Sequence, residues 1–145
     1  MKSQIVYRLQ TAAYSKPEQI LSGEGARLFG GRWNPVGTSL VYTSLTSELA
    51  ALEYLVHYFE QKSSIGSPNL ILATIEIPDS ILSIELEDLP RDWNQTPAPP
   101  HLQNFTKQWL ESKNYLAMKI PTVANPIITP YSYNFLINPS HPRMS

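Results

Sequence analysis

Cysteine is absent from the 145 residues, which excludes disulfide staples, thiolate chemistry and cysteine-type structural zinc. Charge is scarce as well: Asp, Glu, Lys and Arg make up 16% of the chain, against roughly one-quarter in ordinary soluble domains. Neither sign dominates. With 11 basic and 12 acidic side chains the net charge is −1, so no whole-protein field steers the chain to nucleic acid. No apolar run approaches a membrane span, and the opening MKSQIVYRLQ lacks the apolar core of a secretion signal. These absences point to the cytoplasm, without direct nucleic-acid or membrane binding. The low charge has two readings, a surface partly covered by a partner or long polar loops of Ser, Thr, Asn and Pro. His57, His101 and His141 lie far apart and no HExxH occurs, so no metal site is expected; a GxSxG elbow is missing too.

What remains is enough for one domain over residues 1–145, large enough to bury roughly two-thirds of its unfolded surface. Ile5–Leu9 reads as an opening strand, with Ile5, Tyr7 and Leu9 on one face and Val6 and Arg8 on the other. A polar connector from Ala13 to Arg27 leads to LFGGRWNPVG, whose Gly-Gly and Asn-Pro-x-Gly are turn signals. Thr38–Ser44 is the next strand, pairing Leu40 with Tyr42 on one face and Val41 with Thr43 on the other. Thr46 or Ser47 caps a helix with Glu48 in its first turn, and Leu49, Leu52, Val56 and Phe59 form its buried stripe to about Gln61–Lys62. Strands are expected at 70–77, 81–86, 115–120 and 133–137, a helix at 102–112, and coil in the proline-rich 91–100 and the tail. Strands and helices interleave without a βαβ rhythm, which favours a compact α+β domain: a mixed or antiparallel sheet core with flanking helices.

Three residues between Ser22 and Tyr58 stand out for chemistry. Arg32 sits in GGRWN, where glycines let backbone approach a ligand and the guanidinium fork suits phosphate oxygens; the bland alternative is a surface turn. Trp33 beside it either stacks on a base or covers the core. Tyr42 lies mid-strand, where aromatics are usually core. Glu53 falls four positions after Leu49, about 40° round the helix axis, on the shoulder of the apolar stripe. Its bland alternative is a half-exposed glutamate pairing with His57 one turn on. Together, a phosphate clamp, an aromatic platform and a carboxylate suit cleavage of a nucleotide C–N bond, where the carboxylate holds a ribose hydroxyl and steadies oxocarbenium-like charge. Arg8 is either a solvated edge residue or a second arginine facing an anion.

The chain resembles the RES-domain toxins of bacterial toxin–antitoxin pairs. The resemblance starts at Tyr7-Arg8 and runs through GEGA (23–26), GGRWN (30–34), VYTS (41–44) and AALE (50–53) to His57, closing with NFLINPSHP (134–142). It implies a fold similar to ADP-ribosyltransferases with NAD+ as substrate, consumed by hydrolysis or, with inorganic phosphate as co-substrate, phosphorolysis, and no separate cofactor. It implies catalytic roles for Arg32, Tyr42 and Glu53, and NAD+ contacts from Arg8, Trp33, Ser44 and Thr122. Ile120-Pro121-Thr122 stands where the family has Val-Pro-Ser, so Thr122 takes the place of the family serine, with Ser44 as fallback hydroxyl. The implied partner is an Xre-like helix-turn-helix antitoxin that blocks the active site, with a toxin homodimer open within that complex. Transfer of ADP-ribose to a protein and a non-catalytic nucleotide-binding module are the competing readings.

Overall fold

The computed structural model describes residues 2–14, 16–60, 69–95, 97–122 and 132–144, with backbone alone at 14 and 56–60. The β-branched and aromatic opening SQIVYRLQT forms β1 (Ser3–Thr11), and LILATIEIP forms β3 (Leu70–Pro78). Between them lie β2 (Val41–Ser44) and α3 (Ser47–Glu60); β4 (Ile81–Ser83), β5 (Ala117–Pro121) and β6 (Tyr133–Ile137) follow. The six strands make one sheet in the order β3-β1-β2-β6-β5-β4. Only β4–β5 pairs in parallel; the other neighbours are antiparallel. This is the mixed-sheet α+β domain that the pattern implies.

The sheet is not evenly joined. β1 and β3 pair from Ser3↔Pro78 through Thr11↔Leu70, whereas β1 and β2 meet at the single position Tyr7↔Ser44. A two-stranded ribbon therefore diverges from a four-stranded sheet beyond that point. Period-two alternation gives each face its own core. On β6, Leu136 packs with Trp33, Leu40, Met118 and Ile120, while Phe135 and Ile137 pack with Val6, Val41 and Ala117 on the other side. Helix α3 starts where the Thr46 hydroxyl accepts the Leu49 N–H at 3.1 Å, a side-chain cap, and Leu49 and Ala50 are buried. The expected helix end at Gln61–Lys62 and the side chains of Val56 and Phe59 lie outside the described residues.

Several elements differ from the sequence expectation. The polar connector contains two short helices, α1 (Pro17–Ile20), with proline in its first turn, and α2 (Glu24–Phe29), closed by Gly30 at φ +71°. The expected helix over 102–112 is two, α4 (Leu102–Phe105) and α5 (Lys107–Ser112), parted at Thr106. Thr106 is fully buried and donates its hydroxyl to the Trp33 carbonyl at 2.7 Å, a tertiary contact that local propensity does not foresee. Strand β4 stops at Ser83, before a 3₁₀ turn at Leu86–Asp88. In the tail, buried Asn138 donates to the Leu110 carbonyl at 3.2 Å and accepts the Ser140 N–H at 3.0 Å, so the NPSHP segment is fastened to α5. No helix among the described residues is long and apolar enough to cross a membrane.

Candidate active site

The GGRWN loop is held from both sides. Gly31 and Asn34 bridge to each other, with the Gly31 N–H on the Asn34 carbonyl at 2.9 Å. Asn34 is fully buried and shares its amide among the carbonyls of Ala26, Pro35 and Thr38 at 2.8, 3.1 and 2.9 Å. Its side-chain oxygen accepts the Tyr42 hydroxyl at 2.6 Å, and that hydroxyl accepts the Trp33 N–H at 3.1 Å. A Cβ on Gly31 would lie 2.6 Å from the Tyr42 hydroxyl oxygen, so glycine is required for room rather than for backbone freedom. From the other side Gln103 donates to the Gly31 carbonyl at 3.1 Å and Thr106 holds Trp33.

This clamp fixes the placement of the predicted residues. Trp33 is 3% exposed, its ring 5.8 Å from that of Phe105, so it lies in the core and serves the site by anchoring the loop. Arg32 donates through one guanidinium nitrogen to the carbonyls of Trp93 and Gln95, at 3.0 and 2.7 Å. The 91–95 stretch, which leads into the proline-rich segment, thus folds over the arginine, held by the buried ring of Trp93. Burial pushes the Tyr42 hydroxyl well above the usual tyrosine range, against the opposing pull of the Trp33 amide and the Arg32 charge.

Two residues along β2 on the same face as Tyr42, about 7 Å away, Ser44 begins a second cluster. It is buried and donates to the Asn134 side-chain oxygen at 3.3 Å. The Asn134 amide donates to Oε1 of Glu53 at 3.2 Å, and the buried Thr122 hydroxyl donates to the same oxygen. Oε2 of Glu53 has no partner among the described residues. The structure therefore brings Glu53, Thr122 and Ser44 into one hydrogen-bonded chain. The pairing of Glu53 with His57 falls on a side chain outside the described residues.

Arg8 occupies the divergence between β1 and β2. It donates to the Tyr42 carbonyl at 2.9 Å and to the Gln10 side chain at 3.0 Å, and no carboxylate lies within ion-pair distance among the described residues. Desolvation by burial lowers its pKa, although a guanidinium stays protonated at neutral pH. The reading of Arg8 as a solvated edge residue is corrected here: β1 is an inner strand, between β3 and β2. Asn34 and Asn134 were not picked out as site residues from the sequence. The available signal was Asn134 as a polar residue within the apolar strand YNFLI, and Asn34 heading a turn.

A family model described as RES domain matches residues 5–145. A Sphingobium sp. (strain YBL2) protein named Prs ADP-ribosylating toxin is 39% identical over 141 residues, covering 94% of this chain and 83% of that one. A Photorhabdus laumondii protein named Toxin Res is 33% identical over 140 residues, covering 93% and 81%. Among solved structures, a chain in the crystal structure of the M. tuberculosis MbcT–MbcA toxin–antitoxin complex has a TM-score of 0.68 at 17% identity, covering 94% of this chain and 74% of that one. That likeness is one of fold.

Proposed function

The chain belongs to the RES-domain family, and from that premise we propose that it is the toxin of a toxin–antitoxin pair, an enzyme that breaks the nicotinamide–ribose bond of NAD+. The observation that carries the reading is the Glu53 carboxylate. One of its oxygens takes two neutral donors while the other has no partner among the described residues, on the sheet face that also carries Tyr42 beside Arg32. The relatives named as toxins, one of them as ADP-ribosylating, support it.

In this mechanism Arg32 and Arg8 hold the diphosphate, which requires the Trp93 and Gln95 carbonyls to yield part of their hold on Arg32. Oε2 of Glu53 accepts a ribose 2′-OH and stabilises positive charge as the C1′–N bond lengthens. Nicotinamide leaves neutral, taking the bonding pair. Water then gives ADP-ribose and a proton, and phosphate gives ADP-ribose 1″-phosphate. The name of the Sphingobium relative favours a second reading, in which a protein side chain is the acceptor. An Xre-like antitoxin that covers the cleft is the proposed partner, and the cytoplasm the proposed location.

The test is NAD+ loss with product identification in purified protein, with and without phosphate and with cell extract. Nicotinamide release that Glu53→Gln lowers at least 100-fold, with the fold retained by circular dichroism, is the expected result. A labelled protein band in extract assigns the acceptor to protein. Intact NAD+ under every condition, with NAD+ raising the melting temperature, makes the chain a binding module instead.

A further inference from the structure

We propose that Asn134, held in orientation by Ser44, is a positioning residue that decides which oxygen of Glu53 meets the substrate; this rests on the reading of Glu53 as the NAD+-cleaving carboxylate. A glutamate carboxylate turns easily about its last torsion, and its two oxygens are chemically alike. One hydrogen bond from Thr122 anchors one oxygen but leaves the carboxylate plane to swing about it. A second donor on the same oxygen fixes the plane and aims the other oxygen.

Sheet register supplies that second donor. Ser44 and Asn134 are direct partners across β2 and β6, and Asn134 partners Ile120 across β6 and β5, two residues before Thr122. Side chains from three neighbouring strands therefore stand in a row facing α3. The amide of Asn134 has one orientation that fits: its N–H points at the carboxylate, because its oxygen would be repelled there. The oxygen then faces Ser44, whose hydroxyl donates to it at 3.3 Å. Ser44 is 4% exposed, so this hydroxyl is placed to lock the amide rather than to meet a ligand. Ser44 acts on Glu53 through Asn134, and neither need touch NAD+.

The experiment compares wild type, Ser44→Ala, Asn134→Ala, Asn134→Asp and the Ser44→Ala/Asn134→Ala double variant, each checked for fold by circular dichroism. A charge-assisted hydrogen bond at this site corresponds to about a 10- to 100-fold loss of kcat for Asn134→Ala, with KM within about threefold. Asn134→Asp keeps the shape, removes the donor and loses at least as much. Ser44→Ala loses less, and the double variant is no worse than Asn134→Ala alone, because both act on one chain. Independently of turnover, the side-chain carboxyl ¹³C resonance of Glu53 moves in Asn134→Ala. An unchanged kcat, a rise in KM alone, multiplicative losses in the double variant or an unmoved Glu53 resonance would each overturn the assignment. If wild type leaves NAD+ intact while the resonance still moves, the cleavage reading fails and the positioning of Glu53 stands.

Discussion

Replacing Tyr42 with phenylalanine removes a single oxygen, yet that oxygen joins β2 to the GGRWN loop at two points. At neutral pH the change leaves the fully buried Asn34 side-chain oxygen without the donor now 2.6 Å away, and the Trp33 N–H without its acceptor. Two such groups left unmet cost about 2–4 kcal/mol together. The same oxygen also titrates. Burial raises the Tyr42 pKa in the folded chain, whereas an unfolded tyrosine ionises at about pH 10. Below that pH both states keep the proton and the wild-type advantage is constant. Above it the unfolded chain releases the proton first, so wild type loses stability while the phenylalanine variant loses nothing at this position. The gap between the two should narrow by about 1 kcal/mol from pH 10 to 11, the other tyrosines cancelling in the difference. Urea unfolding of both proteins at pH 7, 9, 10 and 11 measures this. A gap under about 0.5 kcal/mol at pH 7, or one that does not change up to pH 11, would refute the enclosed hydroxyl.

Gly31→Ala should destabilise by about 1–3 kcal/mol, since its Cβ meets the Tyr42 oxygen at 2.6 Å and the Asn34 side-chain oxygen at 2.9 Å. Tyr42→Phe in the same chain removes the nearer obstacle, so the two losses should sum to less than their parts in a urea-unfolding cycle. At Thr122 the hydroxyl rather than the methyl acts on Glu53. Thr122→Val should therefore turn over NAD+ at least about tenfold more slowly than Thr122→Ser in a single-turnover assay, and equal rates would sink that role.

Local patterning made much of this legible. Tyr133–Ile137 reads as a strand from its aromatic and aliphatic residues and forms one over those residues. Leu40 and Tyr42 share a face as alternation requires, and Glu53, four positions after the buried Leu49, turns its carboxylate to the sheet. What stayed hidden depends on distant partners. Strand order is not written in any one strand, so Arg8 read as an edge residue although β3 pairs along its outer side. The hub role of Asn34 needs three carbonyls to converge, and these come from α2, from Pro35 within the NPVG turn and from Thr38 just after it. Asn134 gains meaning only once register sets it beside Ser44 and below Glu53. Thr106 breaks a periodic helix for the sake of a carbonyl 73 positions away.

Among the described residues the hydrogen bonds to Glu53 and Arg8 come from neutral groups. Glu53 is steadied by a hydroxyl and an amide, and no cation lies within ion-pair distance of it among the described residues. Arg8 rests on a backbone carbonyl and a glutamine, and Arg32 on two carbonyls. Dipoles of this kind fix a charge in place without cancelling it, whereas an arginine–glutamate pair across the site would spend each charge on the other. On the proposed reaction that separation is what matters. The substrate brings a diphosphate for the guanidiniums and develops positive charge at the ribose for the carboxylate. Among the described residues no cation meets the Glu53 carboxylate, so on that reaction it finds its opposite with NAD+ bound, and most fully as the C–N bond breaks, which is the difference between binding a nucleotide and cleaving one.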